Sequence, residues 1–263
     1  MRNRTPSVVL CLVLLAPKAL MAQSVPSPIE PQSPQAENLK ADQLFVLANQ
    51  ARAAAGLGRL EWDPALADAA LKHCLRMAVE GPIAHRYEGE PDLTSRTGTA
   101  GAHFSLIEEN IAVGSHPDNI HQGWLNSPEH RANLMNPSVD RVGIAVLANA
   151  AVIFAVADYA RAVLMLTQTQ VEAAFADLLR AHKLQITGDT KAARTNCARS
   201  GKYQGNQPPS LFMRWQNPDV TQLPQPLLDQ LATGHYHQAA VGSCPAQDVN
   251  GAFTVYRVAV LLY

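Results

Sequence analysis

The chain has 263 residues, a formal net charge of −1, and 16% charged against 47% hydrophobic residues. So little charge and so much apolar content exclude a disordered protein, and without a basic excess no electrostatic hold on nucleic acid or an anionic membrane is expected. Four cysteines are too few for a disulfide-dense miniprotein, while the length suffices for one large domain or two small ones with a buried core.

Arg2 and Arg4 precede an apolar run, Val8 to Ala16, and small residues ending in Ala22 follow it. That order predicts a secretory signal peptide over residues 1–22 and a secreted or periplasmic protein. The run is shorter than the roughly 20 residues that a membrane-spanning helix needs, so no transmembrane segment is expected after cleavage. Cleavage removes Arg2, Arg4 and Lys18 of the 21 basic residues and none of the 22 acidic ones, taking the net charge from −1 to −4. Cys11 leaves as well, so Cys74, Cys197 and Cys244 remain and one of them has no intramolecular partner. Residues 23–38, with Pro26, Pro28, Pro31 and Pro34, read as an extended linker.

From Leu39 the apolar spacing becomes helical, with Leu44, Leu47, Ala48, Ala51 and Ala55 on one face until Gly56 and Gly58 stop it. Asp63-Pro64 is an N-cap followed by proline at the first helical position, opening a helix that buries Leu66, Ala70 and Met77 and ends at Gly81-Pro82. Residues 82–108 read as an irregular loop. A short helix follows near Asp118–Leu125, and Ser127-Pro128 opens another that Asn136-Pro137 closes. Val142–Leu147 and Val152–Tyr159 form an antiparallel hairpin, so residues 39–162 predict an α+β layered domain.

A second module is expected over residues 165–263. Val171, Ala174, Phe175, Leu178 and Leu179 mark a helix, residues 185–210 read as a polar loop, and strands fall at Leu211–Trp215, Tyr236–Cys244 and Phe253–Leu262. Asn250-Gly251 is a hairpin turn signal. Val142-Gly143 and Val241-Gly242 sit at similar places in the two halves, an echo read here as coincidence. Cys197 and Cys244 are the natural disulfide pair, worth about 4 kcal/mol in the chain-entropy picture. Cys74, inside an amphipathic helix, packs as a free thiol.

Six of the nine histidines fall between residues 73 and 130, interleaved with glutamates. Such a cluster suits either a divalent metal or acid–base chemistry, although no His-Glu-x-x-His helix or Gly-x-Ser-x-Gly elbow is present. The segments "LANQARAAAGLGRLEWDPALADAALKHCLRMA", "IAHR", "EENIAVG", "GWLNSPEHRANLMNP" and "RVGIAV" occur in that order. Together they resemble the CAP superfamily in its bacterial, SCP-like form over about residues 40–162. The resemblance implies a three-layer α-β-α sandwich with an open cleft, in which two His and two Glu often gather, sometimes around zinc or another divalent metal. Matched motif by motif, the set is His85, Glu109 and His130. Ser127 stands where the second Glu is expected, and Glu108 replaces the glycine before Glu109. Glu129 is the acid that could swing in for the missing one, although a glutamate in a first helical turn is most often only a dipole partner. Glu108 could compensate for the lost acid or raise its neighbour's pKa. His130, in the first turn of the helix expected to be capped by Ser127, should stay neutral against the helix dipole.

The same pattern ties Asn49 and Arg52 to a loop, while Asn110 and Trp124 read as structural and His73 and His121 as surface or packing residues. His235 and His237 point to one face of a strand and read as solvated. The missing acid and the lack of a recognisable nucleophile favour a non-catalytic module binding a lipid, glycan or peptide in the cleft. The alternative is a metal-assisted hydrolase using the His/Glu cluster.

Overall fold

The computed structural model describes residues 34–149, 151–205, 207–245 and 253–263, which carry two four-stranded sheets with helices on both faces of each. The expected signal peptide and the Asn250-Gly251 turn lie outside the described residues. Helix α1 (Pro34–Ala54) starts within the stretch read as linker, with proline at its first position and Glu37 in its first turn, both favourable at a helix N-terminus. Strand β1 (Glu61–Trp62) leads into α2 (Pro64–Glu80), whose N-cap Asp63 accepts hydrogen bonds from the backbone N–H groups of Ala65 and Leu66.

Residues 82–108 are more ordered than their sequence suggests. They hold α3 (Leu93–Thr99), capped by Asp92, and the start of β2 (Phe104–Gly114). Polar residues concealed this helix and strand because their burial is polar, around Arg96 and Glu109. Next come α4 (Pro117–Asn126), α5 (Pro128–Leu134), β3 (Arg141–Asn149) and β4 (Val152–Ala162), the last two pairing as the expected antiparallel hairpin. Sheet order is β1-β3-β4-β2, with β1 parallel to β3 and the other pairs antiparallel.

The period-2 alternation of the strands sorts side chains between two helical layers. Val142, Ile144 and Val146 face α1, α4 and α5, packing with Leu44, Ala48, Ile120 and Trp124. Ala145, Val156 and Ile111 face α2, against Ala70, Cys74 and Met77. This is the three-layer α-β-α sandwich. Arg52 fastens the first layer, donating to the carbonyls of Gly58, Leu134, Asn136 and Val139, and Asn49 exchanges two hydrogen bonds with the Leu60 backbone.

The second half contains α6 (Gln168–Ala181), β5 (Gln185–Ile186), α7 (Thr190–Ala198), β6 (Leu211–Asn217), α8 (Gln225–Leu231), β7 (Gln238–Cys244) and β8 (Tyr256–Leu262). The supposed loop 185–210 thus holds β5 and α7, the latter too polar outside Ala193 and Cys197 to stand out by periodicity. Sheet order is β5-β7-β8-β6, with β5 parallel to β7 and the other pairs antiparallel. That is the arrangement of the first sheet, strand for strand. Val171, Phe175, Leu179 and Leu227 pack α6 and α8 on one face, while Ala193 and Cys197 pack α7 on the other.

The two Val-Gly pairs are therefore no coincidence. A Cβ on Gly143 would lie 2.0 Å from Ala67 N and close to Leu66 C and Cβ, and one on Gly242 would lie 2.2 Å from Arg194 N and close to Ala193 C and Cβ. Each glycine lets the N-terminal turn of a helix, α2 or α7, rest directly on a strand. Cys197 and Cys244 form the expected disulfide, and Cys74 is a buried free thiol. The halves also touch through Phe104 and Phe253, whose rings meet edge to face, and through a hydrogen bond from Thr254 N to Phe104 O.

Candidate functional site

Strand β2 sets Glu108 and Glu109 on opposite faces of the sheet, as the two-residue strand period demands. Glu109 faces α2 and α3 and is buried. Its Oε1 lies 2.7 Å from His85 Nδ1, and its Oε2 takes a hydrogen bond from Arg96 Nη2. Burial alone would raise its pKa, but the His85 hydrogen bond and the charge of Arg96 outweigh it and hold Glu109 below the ordinary glutamate value. The His85 imidazole is raised in turn, chiefly by that hydrogen bond, and its side chain is 61% exposed. With Nδ1 committed to Glu109, the Nε2 edge is the part free to meet a ligand.

Behind this pair lies a polar interior that the sequence did not single out. His73, on α2, is fully buried, with Nδ1 2.7 Å from Glu90 Oε1 and Nε2 3.9 Å from Glu109 Oε2. It is thus neither a surface residue nor mere packing. Asp158 sits opposite Glu109 on β4, with both carboxyl oxygens buried and without a hydrogen-bond partner. Desolvation first, and the charge of Glu109 second, push its pKa well above the usual aspartate value. A lone aspartate inside the apolar run Val152–Tyr159 was the available signal for it. Arg96, in a segment read as loop, gave none.

The remaining candidates divide. His130 lies in the first turn of α5, half buried, and its pKa is lowered by burial and by the charge of His85. The direction matches the expectation, but the leading cause is desolvation and not the helix dipole. Asn110 donates to the His130 carbonyl and accepts from Asn133, fixing α5 against β2. Ser127 occupies the N-cap position, yet its side chain makes no capping hydrogen bond. Glu129 is exposed in the first turn. Glu108 takes a hydrogen bond from Asn136 Nδ2 on the far face of the sheet, so it cannot stand in for the missing second acid beside Glu109. His121 and Trp124 are buried, and Trp124 donates its indole N–H to Ile111 O.

The donor set does not fit a divalent cation. Both oxygens of Glu109 are engaged, one by a guanidinium that would repel a metal, and the second acid is a serine. Among the described residues, no group of three or more His, Cys, Asp or Glu is placed to hold a metal ion.

With this geometry in view, a family match over the first half gives the class. Residues 46–159 match the Cysteine-rich secretory protein family (CAP), and the chain carries a CAP-superfamily domain. An uncharacterized membrane protein of Bacillus subtilis strain 168, YlbC, is 32% identical over 106 residues, 40% of this chain and 30% of that protein. An uncharacterized protein of Borreliella burgdorferi is 29% identical over 87 residues, 33% of this chain and 56% of that protein. The chain thus spans less than two thirds of the length of either relative. Among solved structures, an extracellular protein containing a SCP domain from Bacillus anthracis is 33% identical with a TM-score of 0.44, over 50% of this chain and 45% of that one. An outer surface protein from Borrelia burgdorferi is 22% identical with a TM-score of 0.46, over 51% of this chain and 98% of that one.

Proposed function

We propose that the protein is exported and that its first half is a metal-independent, non-catalytic binding module for a polar chain, a peptide or a glycan. One observation carries this reading. Glu109 is held by His85 on one oxygen and by Arg96 on the other, so the floor of the site is charged and its carboxylate is fixed behind the exposed edge of His85, suited to orienting a hydrogen-bonding ligand. His85 and His130 are the groups placed to read that ligand. A charged floor disfavours the lipid alternative. The N-terminal signal-peptide pattern supports export, and no helix among the described residues is long and apolar enough to cross a membrane.

A second reading is favoured by the same hydrogen bond. A carboxylate on Nδ1 with Nε2 exposed is how a general-base histidine is held, which would suit a hydrolase. Against it, no serine, threonine or cysteine among the described residues is hydrogen-bonded to the imidazole of His85.

Peptide and glycan arrays probed with the intact protein, His85→Ala and His130→Ala distinguish these readings. Binding lost in both variants, unchanged by zinc or chelator and without product formation, is the expected result. Hydrolysis abolished by His85→Ala would establish the enzyme reading. A zinc-dependent rise in melting temperature that both variants lose would overturn the metal-independent one.

A further inference from the structure

The matched topology lets the second half be read position by position against the first. The two glycines fix the alignment, because each lies against the same three kinds of atom of a helix's first turn. In the first sheet Gly143 pairs with Asp158, which pairs with Glu109. In the second, Gly242 pairs with Ala259, which pairs with Arg214. The buried acid is replaced by alanine and the cleft carboxylate by a guanidinium.

The surface around Arg214 is concave. A cleft of about 420 Å³ opens between the end of α7 and strands β6 and β8. Its lining includes Arg199, Arg214 and Arg257 and no acidic residue. Their held donors go to neutral acceptors. Arg214 reaches the carbonyls of Asn196 and Gly201 and stacks on Phe212 at 5.2 Å, Arg257 reaches the carbonyl of Cys197, and Arg199 reaches the side chain of Gln204. None of the three is in an ion pair among the described residues, whereas Arg194 on α7 is bidentate to Glu172. Three guanidinium groups gathered at one cleft, with no counter-charge among the described residues, repel one another, and the cost is relieved by an anion.

We infer that residues 168–262 are a second, shortened copy of the CAP fold whose cleft has been inverted in charge to bind a small polyanion presenting phosphate or carboxylate oxygens. Arg214 takes the position of Glu109, and Arg257 and Arg199 flank it. Guanidinium forks fit both oxyanions in two-point geometry, and each retains N–H groups beyond those held by the protein. The proposal does not depend on the ligand of the first cleft.

Calorimetric titration of the intact, disulfide-bonded protein with pyrophosphate and, separately, with citrate tests it. The expected result is one site for at least one of the two anions, weakening as salt rises. Binding to pyrophosphate alone assigns phosphate, and to citrate alone, carboxylate. Arg214→Gln and Arg257→Gln should each weaken binding about ten-fold or more, as removal of a charge-assisted hydrogen-bonding group does, while Arg180→Gln on α6 should not. Because Arg214 also holds the loop after α7, Arg257→Gln decides the matter if Arg214→Gln misfolds. Failure of both anions to bind, or binding unchanged in Arg257→Gln, overturns the proposal.

Discussion

The two sheets share strand order, strand direction and the glycine that seats a helix on the third strand, yet differ in what fills the cleft face. In the first half the central rung is Gly143, Asp158 and Glu109, surrounded by His73, His85 and Arg96. In the second it is Gly242, Ala259 and Arg214. What persists is the backbone contact that builds the layers, and what varies is the chemistry laid on it. The way each half is fastened differs as well. Cys197 lies four residues beyond Ala193, as Ala70 lies four beyond Leu66, and Cys244 lies two beyond Gly242, as Ala145 lies two beyond Gly143. The disulfide therefore occupies the position at which Ala70 and Ala145 pack together in the first half.

The largest expected effect breaks the shared contact. Gly143→Ala puts a methyl against the backbone of Ala67 and Leu66, and Gly242→Ala does the same against Arg194 and Ala193. Neither helix can shift without opening its layer, so each should cost more than about 4 kcal/mol by chemical denaturation. Gly123→Ala, in α4 with open space around it, should instead stabilise by about 0.5–1 kcal/mol.

Next comes the fastening. Replacing Cys197 and Cys244 together with serine should lower stability by about 4 kcal/mol, the loop-closure value. If the halves are equivalent, Ala70→Cys with Ala145→Cys, placed in a Cys74→Ala background, should oxidise spontaneously, as mass spectrometry after alkylation would report. Failure to oxidise would argue against equivalent helix placement.

The smallest effect concerns the rung itself. Asp158 has a folded pKa well above its ordinary 3.8, so the folded state holds a proton that the unfolded chain releases. The wild type therefore loses stability as pH rises from about 3.8 towards the folded value. Asp158→Asn removes that loss. Its melting temperature relative to wild type should rise with pH across this window and level off above it, and a flat difference would contradict the assignment.

The legibility of the fold followed the kind of burial. Apolar spacing revealed α1, α2, α6 and the β3–β4 hairpin because their buried faces are aliphatic. Strand β2 and helix α3 were hidden because they bury Glu109, Asn110, Arg96 and Thr97, which local reading assigns to loops. Helix α7 was hidden because only Ala193, Asn196 and Cys197 on it are buried. At the site, motif order located His85 and Glu109, but their partners come from elements far apart in sequence. That Glu108 would face away from Glu109 follows once β2 is known to be a strand, and that Arg96 would pair with Glu109 follows only from the packing of α3 beside β2.

The burial of Cys74 has a consequence for how the chain folds. Among the described residues, Cys74, Cys197 and Cys244 allow three pairings, two of them wrong. Once α2 packs, the Cys74 thiol is fully buried, donates to Phe154 O, and is pushed up to about 12, chiefly by desolvation. A thiol in that state scarcely ionises and is withdrawn from exchange. The first half precedes the second in the chain and can close before the later cysteines meet an oxidant. Packing in one half thereby proofreads the covalent chemistry of the other, and a variant that loosens α2 should show its damage as scrambled disulfides a hundred residues away.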